Sequence, residues 1–340
     1  MVSLSLQAPA SSGLRPVNLR TDLVPLADLI EIAFADTMDS NGRAAVREMR
    51  TLSRLGPGLS VLLGMNDLAQ GVGLGYVWIE DGRLVGNTSV YPANIPTGPA
   101  WIIANVAVHP DYRGRGIAGQ LVQASLDMIR RRSRMRNATA VLQVEADNDI
   151  AHHLYQRLGF VDERTWHQWR RSSTTRAPQP FTGDPSIYIT RRRPGEWRAE
   201  YALAQRLRPA NRGGIGWLRP LHPSLFRRTI FQRISDTFGL RSFERLAIHG
   251  EQDDLRATMW VESAFAASSV QLTLLVEPEY VGVYDDALIN LAARRYSLRS
   301  ALSIEHPADE TETGEVLKRY GFYAQRTLTH MRWEANPSAF

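Results

Sequence analysis

The stretch Arg113-Gly114-Arg115-Gly116 has residue types that suit the binding of an anion. The apolar run before it predicts a strand, and the amphipathic spacing after it predicts a helix from about Gly116 to Arg132. At a helix start several backbone N–H groups lack a partner, and glycine lets a ligand approach without an intervening Cβ. The helix dipole and the two arginines favour negative charge there. The stretch therefore predicts a diphosphate-binding loop.

The neighbouring segments predict the elements that position this loop. "GYVWIEDGRLVGNTSVYP" predicts a hairpin that turns at Asp81-Gly82, and "AWIIANVAV" predicts a central strand. After the predicted helix, "TAVLQVEA" predicts another strand and "DIAHHLYQRLGF" predicts a short helix that ends at Gly159. The loop is thus expected between strands and helices of an α/β fold.

The second half of the sequence repeats this order of motifs. "ALSIE" repeats "AVLQVE", and "LKRYGF" repeats "YQRLGF". Around the loop, the matched positions are Val108, Pro110, Tyr112 and Gly114 in the first copy and Val276, Pro278, Tyr280 and Gly282 in the second. Matches in the same order at regular spacing indicate a duplicated domain.

The repeat predicts how the chain is organised. We expect a disordered lead at residues 1–13, an N-terminal half at 14–171, a linker at 172–186 and a C-terminal half at 187–334. The linker range is rich in Ser, Thr and Pro, which is typical of a connection between domains.

The loop resembles the acetyl-CoA loop of the GCN5-related N-acetyltransferases (GNAT), whose signature Q/R-x-x-G-x-G/A falls on Arg113, Gly116 and Ala118. Further along, "NDIAHHLYQRLGF" resembles the family segment N-x-x-A-x-x-L-Y-x-x-x-G-F. The resemblance covers Leu14 to Arg171 well, and Ile187 to Trp333 less closely. It implies two tandem GNAT-like α/β (α+β) domains, each a mixed, mainly antiparallel twisted sheet flanked by helices.

The resemblance also implies how acetyl-CoA is held. A strand backbone would pair with the pantetheine arm as an added strand, which requires that strand to splay from its neighbour. The loop amides would hold the pyrophosphate. The positions implied are Val106, Ala107, Val108, Arg113, Gly114, Arg115, Gly116, Ile117, Ala118 and Asn148, the last reaching the cofactor arm.

Acyl transfer to an amine requires two proton adjustments. An alkylammonium of pKa about 10.4 must lose a proton at pH 7, at about 4–5 kcal/mol, whereas a leaving thiolate costs only about 2 kcal/mol. A general base therefore matters more than a general acid. A strand N–H near Val106 would meet the oxyanion.

Tyr155 is the candidate acid, and the resemblance places it near the thioester sulfur. Its alternative role is that of a core residue on a helical stripe. Glu145 is the candidate base, with Glu80 and a water chain through Asn105 as rivals. Glu145 is also open to a structural role as the partner of an arginine, because Glu305 repeats it in the second copy.

The C-terminal half has lost the loop residues. Opposite Arg113, Arg115, Gly116 and Ala118 it has Val281, Val283, Tyr284 and Asp286, and opposite Tyr155 it has Leu317. Acidic residues at a helix start repel a pyrophosphate. We expect this half to bind no acetyl-CoA and to complete the acceptor site or the fold.

Composition limits the other function classes. The chain has no cysteine, so no cysteine can form a covalent acyl intermediate. The net charge of +5 is carried by arginine, with Lys318 the single lysine, and no nucleic-acid signature accompanies it. His152-His153 lacks the spacing of a metal site. No apolar run approaches the ~20 residues of a membrane span. We expect a cytoplasmic protein with no metal, nucleic-acid or membrane partner.

These observations predict an acetyl-CoA-dependent N-acetyltransferase that acts by direct attack of a primary amine in the N-terminal half. The acceptor is expected to be a small molecule or peptide amine, and the protein a monomer or homodimer. The alternative is a non-catalytic acyl-CoA-binding sensor or regulatory protein. An acyl group larger than acetyl also stays open.

Overall fold

The structure is a computed structural model that describes residues 12–35, 38, 40–53, 74–133, 138–227, 241–264, 267–297 and 300–335. Residues 1–11 of the predicted lead lie outside these ranges. The division at 172–186 into two domains and a linker stays a prediction.

Twelve strands alternate with helices along the described chain. In order they are β1 Gly13–Pro16, β2 Gly75–Glu80, β3 Arg83–Ile95, β4 Gly98–Val108, β5 Thr139–Glu145, β6 Val161–Arg171, β7 Thr190–Arg191, β8 Arg241–His249, β9 Leu255–Ala264, β10 Ser269–Val276, β11 Ala301–Pro307 and β12 Tyr323–Glu334. The α-helices are α1 Leu23–Ala33, α2 Ser40–Ser53, α3 Ile117–Arg132, α4 Asp149–Arg157, α5 Trp197–Leu207, α6 Pro223–Phe226, α7 Tyr284–Arg295 and α8 Thr311–Arg319.

The expected hairpin, central strand and helices are present. Asp81 and Gly82 both have positive φ, 48° and 73°, as a tight two-residue hairpin turn requires. α3 begins one residue after the predicted start, and Gly159 follows α4 with a φ of 89°. The mixed, mainly antiparallel sheet with flanking helices is confirmed.

The strands of both halves form one continuous sheet. Its order is β1-β2-β3-β4-β5-β12-β6-β11-β10-β9-β8-β7. β12, the last strand of the C-terminal half, lies between β5 and β6, and β6, the last strand of the N-terminal half, lies between β12 and β11. Each half therefore gives its last strand to the other.

Buried side chains reinforce this exchange. Trp166 of β6 is 1% exposed and stacks on His330 of β12, with the ring centroids 5.7 Å apart. Arg164 of β6 donates to Glu310 at 2.9 Å. Burial raises the pKa of Glu310, but hydrogen bonds and charge from His306 and Arg208 outweigh it and lower the pKa to about 2. The centre of the sheet thus combines apolar packing with a paired carboxylate.

Helices cover both faces of the sheet. On one face α3 packs against alternate residues of β5, including Leu142 and Val144. On the other face α1 and α2 pack on Val77 and Ile79 of β2, and α5 packs on Trp260 of β9. Strand side chains alternate between faces, so Glu145 lies on the α1/α2/α5 face.

The exchange predicts that the halves fold together. If the chain is split between Gln179 and Pro180, β5 and β11 each lose a neighbour and expose an unpaired edge. We expect neither fragment alone to be a folded monomer, and co-expressed fragments to co-purify at one to one with a single thermal transition.

Circular dichroism and analytical ultracentrifugation measure this, with the intact chain as control. Two fragments that are each monomeric, with cooperative melting, would contradict it.

Candidate active site

The loop between β4 and α3 presents unpaired backbone donors. Gly114 and Gly116 are in the left-handed region, with φ of 78° and 75°. A Cβ built at either glycine meets no atom within 4 Å, so the space beside them is open. Among the described residues, none accepts a hydrogen bond from the amides of residues 114–119. The loop therefore has the donors and the room to hold a diphosphate.

Two arginines add positive charge to this loop. Arg113 Nε donates to the carbonyl of Val108 at 3.2 Å, and the guanidinium of Arg115 lies 4.9 Å from the centre of the Tyr112 ring. Both side chains are exposed, and no carboxylate in the described part of the chain pairs with them. Their charge is therefore available to a bound anion.

β4 and β5 splay apart next to the loop. They are parallel and pair only at Trp101 with Ala140 and Ile102 with Val141. Beyond Ile102, β4 has no pairing with β5 along Val106–Val108, although the Val108 carbonyl accepts from Arg113 Nε. An extended polar chain can add to such an edge, which is the geometry that the pantetheine arm requires.

A bulge in β4 marks the start of this open edge. Asn87 lies opposite Ala107 and Ser89 opposite Ala104, so β4 contains one extra residue there. Asn105 in the bulge has a φ of 51°, and its Nδ2 donates to the Tyr91 hydroxyl at 3.0 Å. The rival water chain through Asn105 would run along these polar groups.

Tyr155 lies on α4, on the same face of the sheet as α3, in the cluster that Val106 packs against. Its ring is buried in the core cluster and contacts Phe160 edge-to-face at 5.9 Å. Burial raises the pKa of Tyr155 to about 12. Among the described residues, its hydroxyl has no hydrogen-bond partner. The ring is thus fixed by packing while the hydroxyl can donate to a ligand.

Asn148 caps the same helix. Its Oδ1 accepts from the backbone N–H of Ala151 at 3.1 Å. The side-chain nitrogen has no partner within the described ranges, so it can still donate to a cofactor arm.

Glu145 lies at the end of β5, on the opposite face from Tyr155. Its Oε1 accepts from Arg326 Nε at 2.6 Å and pairs with the second guanidinium nitrogen at 2.5 Å. No described residue contacts Oε2 by a hydrogen bond. Glu145 therefore has the arginine partner that the sequence analysis left open. Its other oxygen, Oε2, remains available to a substrate amine.

The rival Glu80 is less well placed. It ends β2 at the hairpin, with β3 between it and β4, and its Oε2 accepts from Trp78 Nε1 at 2.9 Å. Of these two carboxylates, Glu145 is the one on a strand that borders the gap between β4 and β5.

In the C-terminal half, the helix that corresponds to α3 has a buried carboxylate in its first turn. Asp285 is fully buried, with Oδ1 accepting from the amide of Asp286 at 3.0 Å and Oδ2 from the Thr313 hydroxyl at 2.9 Å. Burial raises its pKa, opposed by these bonds and one from the Gly282 amide. The carboxylate of Asp285 uses donors that a phosphate would need.

A cavity of about 880 Å³ opens on the α1/α2/α5 face; we call it the central cavity. Glu145 lines its N-terminal side, while Gln271, Ser303 and Glu305 line it from the C-terminal half. It begins where β5 ends, beside the splay. Both halves therefore form the space from which an acceptor could reach the open edge of β4.

The described residues offer neither a metal site nor a membrane span. In the described part of the chain, no group of three or more His, Asp or Glu residues could hold a metal ion, and His152 pairs with Asp162 at 2.9 Å. None of the described helices is both long and apolar enough to span a bilayer.

Comparison with known proteins agrees with this geometry. Residues 56–160 match the model of the acetyltransferase (GNAT) family. Over 72 residues the chain is 39% identical to N-alpha-acetyltransferase 30 of Schizosaccharomyces pombe, a match that covers 21% of this chain and 46% of that protein. Residues 56–160 are therefore similar to an acetyltransferase (GNAT) domain, and the chain spans less than half the length of this relative.

Solved structures extend the likeness of fold to both halves. A GCN5-related N-acetyltransferase from Sphaerobacter thermophilus matches 94% of this chain and 95% of its own, with a TM-score of 0.59 and 18% identity. A tandem GNAT protein from the clavulanic acid biosynthesis pathway matches 96% of this chain and 100% of its own, with a TM-score of 0.50 and 15% identity. At these identities the likeness concerns the fold alone.

Sequence reasoning missed some residues of this region. Arg326 lies 181 positions from the Glu145 that it pairs with, and no local pattern singles it out among the basic residues. Gln168 and Arg170 of β6 also line the central cavity. Their alternation along a strand was the available signal, but the strand exchange that directs them to this cavity was not predicted.

The loop between β4 and α3 has unpaired amides and the corresponding region of the C-terminal half holds Asp285, so we predict one coenzyme A site per chain. Calorimetry should give a stoichiometry of one, and Arg113→Ala should weaken binding about tenfold, because a charge-assisted hydrogen bond is lost. Arg131→Ala, an exposed arginine at the far end of α3, is the control and should bind as the unaltered protein does. A stoichiometry of two, or equal effects of both substitutions, would show that the loop assignment is wrong.

Proposed function

We propose that the protein is an acetyl-CoA-dependent N-acetyltransferase that acetylates a primary amine in its N-terminal half. The observation that carries this proposal is the placement of Tyr155 and Glu145 on opposite faces of the sheet, at the splay beside a loop with unpaired amides. A donor held on one side and an acceptor on the other would meet there.

The loop and the open edge of β4 would position the donor. Amides of residues 114–119, with Arg113 and Arg115, would hold the pyrophosphate, while Val106, Ala107 and Val108 would pair with the pantetheine arm. Asn148 would donate to that arm. The Val106 N–H would meet the thioester oxygen as negative charge develops on it.

Glu145 would take the proton from the attacking amine through its free Oε2. Removing that proton at pH 7 costs about 4–5 kcal/mol, which is the larger of the two proton costs. The pair with Arg326 holds the other oxygen and so fixes the direction of the carboxylate. An incoming ammonium would also be attracted to this carboxylate before it loses its proton.

Tyr155 would stabilise the leaving thiolate by a hydrogen bond. A phenol of pKa about 12 stays protonated at neutral pH. Full transfer of its proton to a thiolate of pKa about 8.5 would cost roughly 5 kcal/mol. Donation without full transfer is therefore the role that the burial of Tyr155 favours.

The C-terminal half would complete the acceptor site and bind no donor. Asp285 already accepts from the loop amides there, and neither Val281 nor Val283 supplies a charge. Direct attack, without a covalent enzyme intermediate, is proposed in the absence of cysteine.

Removing the Tyr155 hydroxyl tests the thiolate role. Tyr155→Phe should lower kcat about 10- to 100-fold, because one hydrogen bond to a developing charge is lost. Coenzyme A affinity by calorimetry and the Tm should stay within error. Thiol release from acetyl-CoA over a panel of amines measures kcat. Unchanged turnover in this variant would overturn the role. Tight coenzyme A binding with no turnover of any amine in the unaltered protein would support the sensor alternative.

A matched pair of substitutions tests the base. Glu145→Gln should lower kcat about 10²- to 10⁴-fold and flatten the rise of rate with pH, because the proton acceptor is gone. Glu163→Gln is the control, since Glu163 pairs with Arg332 of the same strand β12 and does not line the central cavity. Equal losses in both variants would indicate that Glu145 has only a structural role.

A further inference from the structure

The strand exchange places a row of polar side chains on the floor of the central cavity. Gln168 of β6 lies opposite Glu305 of β11 on one side and Arg326 of β12 on the other. Arg326 in turn bonds Glu145 of β5. The row crosses four strands from both halves, so neither half alone could form it.

Two of the arginines in this cavity are already paired with carboxylates. Arg326 pairs with Glu145, and Arg219 pairs with Glu262 and donates to the Thr273 hydroxyl at 2.6 Å. Glu305 accepts from the backbone N–H of Trp217 at 3.2 Å, while its buried Oε1 lies 3.5 Å from His330 Nε2 and has no hydrogen-bond partner among the described residues. The charges of Arg326 and Arg219 are therefore already matched without a ligand.

Arg170 differs from these groups. It is half-buried, it lines the cavity from β6, and it lies opposite Ser303. Within the described ranges, no carboxylate or carbonyl pairs with its guanidinium. Arg43 also lacks a carboxylate partner there, but it is exposed at the rim and donates to the Met38 carbonyl at 2.6 Å. An unpaired guanidinium inside a concave site favours a carboxylate.

The strand register gives the distance between the Cα atoms of Arg170 and Glu145, the proposed base. Glu145 lies opposite Leu328, and Leu328 lies opposite Trp166, which is four residues before Arg170. With about 3.3 Å per residue and about 4.8 Å between strands, the two Cα atoms are roughly 16 Å apart. Strand side chains stand roughly perpendicular to the sheet, so the two charged groups keep most of this separation.

That separation selects the length of the acceptor. Three extended residues span about 10–11 Å, and a hydrogen bond of about 2.9 Å at each end brings the total to roughly 16 Å. A free amino acid, with both groups on one carbon, cannot reach both ends. The neutral side chains of Gln168, Gln271 and Ser303 along the cavity can donate to and accept from peptide groups.

We propose that the acceptor is a short peptide of about three residues, with its amine at Glu145 and its free carboxylate bound by Arg170. This inference rests on the proposed function, because the amine must meet the thioester at the splay. Arg170 is then the residue that selects a free carboxylate at the far end of the acceptor.

The test uses glycine, triglycine and triglycinamide as acceptors, with thiol release from acetyl-CoA as the readout. The unaltered protein should use triglycine at least about tenfold better than triglycinamide in kcat/KM, because only the free acid pairs with Arg170. Glycine should be poorer than triglycine. Arg170→Gln should reduce the ratio of acid to amide to near one, mainly by raising KM for the acid.

Arg43→Gln is the matched control, since it removes one positive charge from the same cavity and should leave the ratio unchanged. Calorimetry of triglycine and triglycinamide with coenzyme A-saturated protein should give the same order of affinity. Equal use of acid and amide by the unaltered protein, a ratio that falls with Arg43→Gln instead, or turnover of other amines without either peptide would overturn the acceptor assignment and leave acetyl transfer standing. Failure to bind coenzyme A would instead overturn the proposed function.

Discussion

The antiparallel pairing of β6 with β12 is the interaction on which the rest of the structure depends. It joins two five-stranded arrays into one sheet, and it supplies the missing neighbour of β5 on one side and of β11 on the other. Trp166 and His330 stack within it. Because β5 carries Glu145, the carboxylate at the splay is held in place by a strand that belongs to the other half.

The two similar halves differ in the groups that they leave unpaired. The N-terminal half has the unpaired amides, the open glycines and the bulged strand. In the C-terminal half β10 runs without a register shift against β9, and it pairs with β11 over a longer stretch, from Ser269 to Leu272. The C-terminal half has polar side chains on the α1/α2/α5 face of the sheet, and these line the central cavity.

Much of this fold was predictable from local sequence. Asp81-Gly82 predicted the hairpin, and the glycines at 114 and 116 predicted a loop whose backbone conformation few other residues adopt. The strand exchange was not predictable, because alternation along β6 and β12 identifies a strand without identifying its neighbour. The bulge at Asn105 has no sequence signal, since the residue with positive φ is not glycine. The sequence also did not identify Arg326 as the partner of Glu145, because any of 40 basic residues could pair with any of 35 acidic ones.

The buried carboxylate of Asp285 has an energetic consequence for the whole molecule. Its two oxygens accept from the Asp286 amide and the Thr313 hydroxyl, so these donors are satisfied without a ligand. The amides of residues 114–119 have no such partner among the described residues, and a ligand that binds only the folded state adds its free energy of binding to the stability of that state. Since one sheet runs through both halves, a ligand bound at residues 114–119 would also stabilise the strands of the C-terminal half.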